Sequence, residues 1–204
     1  MEKTKRTLTF REELFPPLKE QGEDLVRVLG SYPGQMREVM YTMYLSAINS
    51  AERSINLTNP YFVPDERTQK ALIDAATRNV DVKIILPEFS DNPATFYAER
   101  YYYSELLKSG IRIYERRHAI LHAKTAVIDG VWSTIGTTNL DYWSFFYSNE
   151  DNAVILSRRF ASEMEVMFAG DLRESNEIKL VEWEKRPFHM RIREWCAHLF
   201  ARWL

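Results

Sequence analysis

Hydrophobic and polar residues alternate with two different periods along the first half of the chain. Residues 25–30 alternate as in a strand, and apolar residues then recur at helical spacing between Met36 and Ile48. A strand follows at 54–62, a helix from Pro64 to about Asn79, and an apolar, buried strand at 80–87. This order of strand, helix and strand predicts a β-α-β crossover in a layered α/β fold.

The second half of the chain changes to strands joined by a hairpin. Residues 122–129 and 131–139 alternate on either side of Gly130, which predicts a two-residue turn at Asp129-Gly130 or Gly130-Val131. The other predicted elements are a helix at 93–110 ending at Gly110, strands at 111–116 and 149–157, and a helix at about 159–173. The sequence therefore predicts an α/β fold with a mixed β-sheet flanked by helices.

Composition is typical of one main globular domain. The chain has 204 residues, of which 45% are hydrophobic and 27% are charged. A formal net charge of -2 provides no general basic field, so nucleic acid is not an expected partner. The single cysteine, Cys196, excludes an intrachain disulfide, and no apolar run reaches the roughly 18 residues that a membrane-spanning helix needs. Any membrane contact is therefore expected to be peripheral.

The two ends of the chain differ from its centre. Residues 1–24 show no sustained period and are interpreted as a lead-in or linker, followed by a main domain at 25–178. In the C-terminal segment, 179–204, the apolar side chains recur at steps of three or four residues: Phe188, Ile192, Trp195, Leu199 and Trp203. This amphipathic helix suits the interface of an anionic membrane, with docking on the domain or on a missing partner domain as the alternative.

Candidate chemistry is concentrated around the predicted hairpin. In a strand, residues two apart share a face, so His122 and Lys124 project together. Asp129 points the other way, where a structural role in the turn competes with a catalytic one. With a two-residue turn, the residue numbers of any two residues that face each other across the hairpin add up to an odd number. Thr137 and Asn139 then lie on the same face as His122 and Lys124 in either register. Parity therefore predicts a four-residue site.

These residue types suit phosphodiester chemistry that requires no metal or cofactor. The imidazole of His122 can act as a nucleophile, or as the acid and base that assists one, near neutral pH. Lys124 and Asn139 can stabilise phosphate oxygens, and Thr137 can donate a further hydrogen bond. Glu150 is the candidate to accept the other imidazole N–H and so to fix the tautomer of the ring.

The spacing of these residues resembles the HKD motif of the phospholipase D superfamily. The matching elements are His122-x-Lys124-x4-Asp129, then Gly136-Thr137-x-Asn139, and then Glu150. Further segments, at 58–66, at 120–141 and in the terminal VEWEKRP, are similar to the C-terminal half of bacterial cardiolipin synthases. The similarity covers roughly residues 25–204 and implies a phospholipase D-like half with a single HKD domain.

The resemblance implies a phosphatidyltransferase on the cytoplasmic face of the bacterial inner membrane. In the family, one histidine attacks phosphatidylglycerol to form a phosphohistidine, glycerol leaves, and a second phosphatidylglycerol accepts the phosphatidyl group to give cardiolipin. A second histidine acts as acid and then as base. Because only His122 has an HxK setting here, a second HKD domain is expected from a homodimer or from a separate N-terminal half. The expected partners are this domain, phosphatidylglycerol and an anionic membrane surface.

Two departures from the family pattern keep other functions open. Trp143 stands where the family commonly has an arginine, and Thr137 replaces the usual serine but keeps the hydroxyl. One alternative is a dimeric phosphodiesterase or nuclease of the same superfamily, with one motif in each subunit. The other is an inactive, truncated half that serves as a membrane-binding or structural module.

Overall fold

The described part of the chain forms a large mixed sheet, a small sheet and helices packed on them. The computed structural model describes Lys19 and residues 22–32, 38–118 and 120–203, so most of the predicted lead-in at 1–24 lies outside the described residues. Within these ranges the strands are β1 (Leu25–Ser31), β2 (Ser54–Thr58), β3 (Phe62–Val63), β4 (Asp81–Pro87), β5 (Arg112–Arg116), β6 (Thr125–Ile128), β7 (Trp132–Gly136), β8 (Leu140–Asp141), β9 (Glu150–Leu156) and β10 (Ser175–Glu177). The helices are α1 (Glu38–Ser50), α2 (Glu66–Thr77), α3 (Pro93–Lys108), α4 (Tyr142–Phe146), α5 (Arg158–Arg173), α6 (Leu180–Trp183) and α7 (Phe188–His198), followed by a 3-10 turn (Ala201–Trp203).

The large sheet is mixed. Its eight strands lie in the order β1-β9-β7-β6-β2-β4-β5-β10, in which β2, β4 and β5 are parallel and the other neighbours are antiparallel. The parallel strands are connected through α2 and α3, as the predicted β-α-β order requires. Strands β3 and β8 pair in parallel in a separate two-stranded sheet. The mixed sheet flanked by helices is therefore confirmed.

The centre of the large sheet is buried on both faces. Along β6, Ala126 and Ile128 belong to the main core, which the side chains of α1, α2 and α3 help to form. Between them, Val127 points to the opposite face and packs against Ala161 and Met164 of α5. Alternation along the strand therefore fixes β6 from both sides, and this strand leads directly away from the candidate motif.

The single strand predicted at 54–62 is instead two strands in different sheets. The chain leaves the large sheet at Asn59, whose side-chain Oδ1 accepts hydrogen bonds from the backbone N–H groups of Tyr61 (3.2 Å) and Leu140 (3.4 Å). These bonds turn the chain towards β8, where β3 finds its partner. The consequence is functional, because β8 carries the residues that directly follow Asn139.

Candidate active site

The hairpin between β6 and β7 has a three-residue turn, so the predicted two-residue turn is wrong. Ile128 faces Trp132, which gives facing positions an even sum. Within the turn, Asp129 and Gly130 both adopt positive φ angles, of 56° and 63°. Glycine tolerates this region freely and aspartate better than most residues, which allows the longer turn.

Asp129 has the structural one of its two predicted roles. Its carboxylate accepts hydrogen bonds from the backbone N–H groups of Glu52 (2.9 Å), Arg53 (2.8 Å) and Ser54 (3.0 Å). Burial raises the pKa of this carboxyl, but the three N–H donors and the charge of Arg53 outweigh burial and hold the pKa below its usual value. Asp129 therefore ties the turn to the start of β2, which is the structural role weighed for it, and its catalytic role stays a prediction.

The even register also overturns the parity argument for the site. His122 and Lys124 precede β6, and Thr137 and Asn139 follow β7, so none of the four lies within a strand. The last ladder contact at this end joins the N–H of Gly136 to the carbonyl of Lys124, at 3.2 Å. The predicted residues therefore emerge at the same end of two neighbouring strands, but irregular backbone rather than strand alternation orients them.

The structure brings the side chains of His122 and Lys124 into contact. Lys124 Nζ lies 3.3 Å from His122 Nε2 and donates a hydrogen bond of 3.0 Å to the backbone carbonyl of His122. The lysine is buried at 7% exposure, whereas the histidine is exposed. When Lys124 is charged it only donates, so Nε2 is assigned as the acceptor in this contact and the imidazole proton is assigned to Nδ1.

A buried electrostatic cluster surrounds Lys124. Burial lowers the pKa of Lys124, while the charges of Glu150 and Asp141 act in the opposite direction. Burial also raises the pKa of Glu150, against the influence of neighbouring hydroxyls and of Lys124. For Asp141, burial raises the pKa of the carboxyl to about 7. One buried cation thus lies among two carboxyl groups that both resist ionisation.

Asp141 was missed as a site residue by the sequence reasoning. The available signal was its position two residues after Asn139, within the Asn-x-Asp pattern of the family. In the structure, Asp141 precedes α4 as its N-cap, and its Oδ1 accepts a 2.6 Å hydrogen bond from the N–H of Ser144. The Ser144 hydroxyl in turn accepts a 3.2 Å hydrogen bond from Asn139 Nδ2. The start of α4 therefore orients the predicted phosphate ligand.

The predicted hydrogen bond between Glu150 and His122 is absent from the structure, in which the histidine ring contacts Lys124. Thr137 contacts β9, since its hydroxyl accepts a 2.9 Å hydrogen bond from the N–H of Asp151 and its own N–H donates to the carbonyl of Asp151 at 3.1 Å. Glu150 and Thr137 therefore lie beside Lys124 and at the edge of the site, respectively, without touching the imidazole.

The loop after β7 is held by Asn152, another residue that the sequence reasoning missed. Its buried side chain accepts hydrogen bonds from the N–H (3.3 Å) and hydroxyl (2.7 Å) of Thr138 and donates to Tyr44 (3.3 Å) and Thr134 (3.1 Å). A Cβ atom on Gly136 would overlap the side-chain amide of Asn152 and the backbone carbonyl of Asp151. Gly136 is therefore required for the close approach that positions Asn139.

We expect Gly136→Ala to destabilise the protein by about 3 kcal/mol, because the added methyl group must displace a fully hydrogen-bonded amide and backbone. Urea denaturation measures the change. The matched control is Gly170→Ala in α5, where a Cβ meets only the end of Arg173 at 3.7 Å, and where alanine favours the helix by up to about 1 kcal/mol. Equal stability of the two variants would contradict this account.

We expect Asp141→Asn to change the pH dependence of stability. Above about pH 4 the unfolded chain loses this proton, whereas the folded chain keeps it until about pH 7. The free energy of unfolding of the wild type therefore falls as pH rises through this window, by at most roughly 1.4 kcal/mol per pH unit. Asparagine retains the N-cap acceptor and removes the titration, so the variant gains stability relative to the wild type between pH 4 and 7.

Urea denaturation at closely spaced pH values tests this expectation, with Asp74→Asn on the exposed surface of α2 as the control. The control should follow the pH curve of the wild type. A curve for Asp141→Asn that runs parallel to the wild type would show that Asp141 is ionised throughout the range.

A small cavity adjoins the exposed side of His122. Its volume is about 130 Å³, and its walls include Tyr61, Phe89, Asp91 and Ile120. The Tyr61 hydroxyl donates a 2.6 Å hydrogen bond to Asp91. The cavity therefore offers both a polar pair and apolar surface next to the imidazole.

Along the part of the chain that the structure describes, no cluster of three or more His, Cys, Asp or Glu could hold a metal ion, and no helix is long and apolar enough to cross a membrane.

Known proteins are similar to this chain in sequence. Residues 44–172 match the family model described as "Cardiolipin synthase, PLD-like domain". The chain is 38% identical over 199 residues to a cardiolipin synthase from Geobacillus thermodenitrificans and 35% identical over 185 residues to cardiolipin synthase A from Serratia proteamaculans. These matches cover 97% and 91% of this chain but only 40% and 38% of the relatives. The chain thus spans about 40% of the length of these relatives, which agrees with the predicted half.

Two solved structures share the fold. The crystal structure of Nuc, a phospholipase D family member from Salmonella typhimurium, has a TM-score of 0.64 and 26% identity, and the match covers 77% of this chain and 99% of Nuc. Phosphatidylserine synthase from Haemophilus influenzae has a TM-score of 0.72 at 15% identity, over 88% of this chain and 48% of the other, and shows the fold alone. The predicted fold class and resemblance are confirmed, and the chain belongs to the phospholipase D-like family of cardiolipin synthase domains.

Proposed function

We propose that this chain supplies one half of the active site of a cardiolipin synthase-like phosphatidyltransferase, which forms cardiolipin and glycerol from two molecules of phosphatidylglycerol. The observation that carries the proposal is the contact between Lys124 Nζ and His122 Nε2, at the mouth of a cavity, in a chain similar to cardiolipin synthases over nearly its whole length. A lone pair on an exposed imidazole nitrogen is what nucleophilic attack on phosphorus requires.

In the proposed first step, His122 Nε2 attacks the phosphorus of phosphatidylglycerol. The N–P bond forms, the P–O bond to glycerol breaks, and the departing glycerol oxygen takes a proton from the histidine of the second HKD domain. That histidine then removes the proton from the terminal hydroxyl of a second phosphatidylglycerol. The hydroxyl oxygen attacks phosphorus, the N–P bond breaks, and the lone pair returns to His122.

The remaining residues are assigned to binding and charge balance. Lys124 and Asn139 would stabilise the phosphate oxygens, on which negative charge increases in the transition state, with Thr137 at the edge of the same site. Where they are ionised, Glu150 and Asp141 favour the charged form of Lys124, because their charges raise its pKa. The proposed contact between Glu150 and His122 Nδ1, which would fix the tautomer during the reaction, requires the exposed ring to turn away from Lys124.

The second HKD domain is proposed to come from a second copy of this chain or from a separate N-terminal half. The reason is that the chain holds one HxK sequence and spans about 40% of its relatives. A peripheral position at the bacterial inner membrane follows from the proposed lipid substrate, and the cytoplasmic face is part of the proposal. The match covers 99% of Nuc, so a phospholipase D family member can consist of one such domain. This supports the alternative of a dimeric phosphodiesterase with one motif per chain, which the assay below distinguishes from the synthase.

The test uses phosphatidylglycerol labelled in its terminal glycerol, in mixed detergent micelles, with the chain alone and with an N-terminal half of the Geobacillus thermodenitrificans relative. We expect release of labelled glycerol together with formation of cardiolipin in at least one of these arms, and neither product with His122→Ala. Hydrolysis of a soluble phosphodiester or of DNA without lipid turnover would favour the alternative. No turnover in any arm would support the inactive half.

A further inference from the structure

Helix α7 presents its apolar face to solvent. Phe188, at 75% exposure, and also Ile192, Trp195 and Leu199 are exposed on one side of the helix. An amphipathic helix on a soluble domain normally turns this face towards the core. Here the buried residue of the helix is Glu194, at 2% exposure, so α7 packs against α3 with its polar side. The arrangement leaves a contiguous apolar strip without cover from the described chain.

A buried ion pair sets this orientation. Arg186, which precedes the helix, shares its Nε–H between the two carboxylate oxygens of Glu194, each 3.0 Å away, and its Nη2 lies 2.8 Å from Oε2. The Arg186 guanidinium also lies over the ring of Trp183, at 4.3 Å from its centroid. At the other end of α7, the His198 ring stacks on Tyr101 with centroids 3.8 Å apart. Rotating the helix would break a buried charge pair, so the outward apolar face is built into the fold.

The apolar strip continues towards the candidate active site. After α7, the 3-10 turn packs against α4 and carries Trp203, which is 78% exposed. On α4 itself, Trp143 and Tyr147 are exposed, with ring centroids 5.3 Å apart. The same short helix begins at Asp141 of the electrostatic cluster. Exposed aromatic side chains therefore extend from α7 to the element that orients the site, including the tryptophan that replaces the family arginine.

The charge around the strip differs from that of the whole chain. Residues 179–204 contain six Lys and Arg residues and three Glu residues, in a chain whose net charge is -2. Arg191 and Arg193 are exposed on α7 beside the apolar side chains. Tryptophan at the margin of an apolar face, with arginine next to it, fits the boundary between acyl chains and anionic headgroups.

We propose that the outer face of α7, formed by Phe188, Ile192, Trp195 and Leu199 and continued by Trp203 and Trp143, is the surface on which the protein lies on an anionic lipid bilayer. The inference rests on the proposed function, because a lipid substrate explains why the strip leads to the site. A bilayer is favoured over a second protein since the strip is bordered by arginines and ends beside the residues that would meet the lipid headgroup.

Vesicle flotation tests this surface with the full 204-residue chain. The probes are vesicles of phosphatidylglycerol and phosphatidylcholine, and vesicles of phosphatidylcholine alone. The binding measurements use the His122→Ala background, so that turnover cannot change the vesicles. In this background the test variant is Ile192→Gln/Trp195→Gln. The control is Val166→Gln/Met167→Gln, which replaces two exposed apolar residues of α5.

We expect binding to the anionic vesicles, with a loss of at least tenfold in the test variant, equivalent to about 1.4 kcal/mol, and no change in the control. No binding by the parent chain, or equal binding by both variants, would overturn the inference. Light scattering measures the molar mass of the parent and of the test variant. A dimeric parent that does not bind vesicles, together with a monomeric test variant, would show that the strip contacts a second copy, and the inference would be wrong.

A soluble, short-chain phosphatidylglycerol allows turnover to be measured without membrane binding, so that the proposed surface and the proposed function are tested separately. With His122 present, the Ile192→Gln/Trp195→Gln variant should retain the rate of the parent on this substrate, because neither residue belongs to the site. Vesicle binding without turnover would support the proposed lipid-binding surface and contradict the proposed phosphatidyltransferase activity. Turnover without vesicle binding would support the activity and contradict the surface.

Discussion

His122→Ala is expected to lower the rate of glycerol release from phosphatidylglycerol by a factor on the order of 10⁴ or more, because it removes the nitrogen that forms the covalent bond to phosphorus. The remaining histidines lack an HxK setting, so none of them is placed to substitute. The rate is measured with a soluble, short-chain phosphatidylglycerol and with the second HKD domain present, so that membrane binding does not limit the reaction.

The matched control for this change is His189→Ala, which removes an exposed imidazole from α7. We expect this variant to keep the rate of the parent within about twofold, since surface substitutions of this kind have small effects. A similar fall in rate for both variants, or a retained rate in His122→Ala, would remove His122 from the chemical step.

The second large effect is expected from Lys124→Met, which keeps the length of the side chain and removes its charge. The rate should fall about 10³-fold, because the phosphate oxygens lose a positioned cation. The loss should appear mainly in kcat, since charge on the phosphate oxygens increases towards the transition state.

Lys70→Met provides the comparison, because Lys70 is an exposed lysine on α2 that pairs with Asp74. It should leave both kcat and KM unchanged. A Lys124→Met variant that loses less than tenfold in kcat would contradict a role for this lysine in phosphate binding, and the contact with the imidazole would then be structural.

The fold could be predicted from the sequence where burial imposes a clear period. The strand at 80–87 and the helix at 93–110 were located closely, because the first is rich in Val, Ile and Leu and the second ends at a glycine. The strand at 54–62 was wrong in part, because it is divided at Asn59, whose side chain accepts a hydrogen bond from the N–H of Leu140, a residue distant in the sequence. Local periodicity carries no information about such long-range contacts.

The candidate site shows the same limit. The meeting of His122 and Lys124 was predicted, but from strand alternation, whereas irregular backbone before β6 brings the two side chains together. The turn length could not, since the positive φ at Asp129 is supported by the backbone N–H groups of Glu52, Arg53 and Ser54, which lie far away in the sequence. The buried position of Asn152 likewise depends on four hydrogen bonds to three residues, one of which is the distant Tyr44. Motif spacing identifies the chemistry but not the residues that hold it.

Helix α7 shows where pattern reasoning about an amphipathic segment stops. The period identified its apolar face, but not which face packs on the domain. That choice depends on Arg186, which lies outside the helix and pairs with Glu194. The helix docks on the domain, as one of the two alternatives expected, and leaves its apolar face outside, so membrane binding stays a prediction.

Mass spectrometry of a trapped intermediate tests the central claim most directly. The chain and its second HKD domain are mixed with short-chain phosphatidylglycerol, quenched in alkali to preserve phosphohistidine, and digested. The account predicts a phosphatidyl group on the peptide that contains His122, and none in His122→Ala. Glycerol release without an adduct on His122, or an adduct on another residue of this chain, would contradict it.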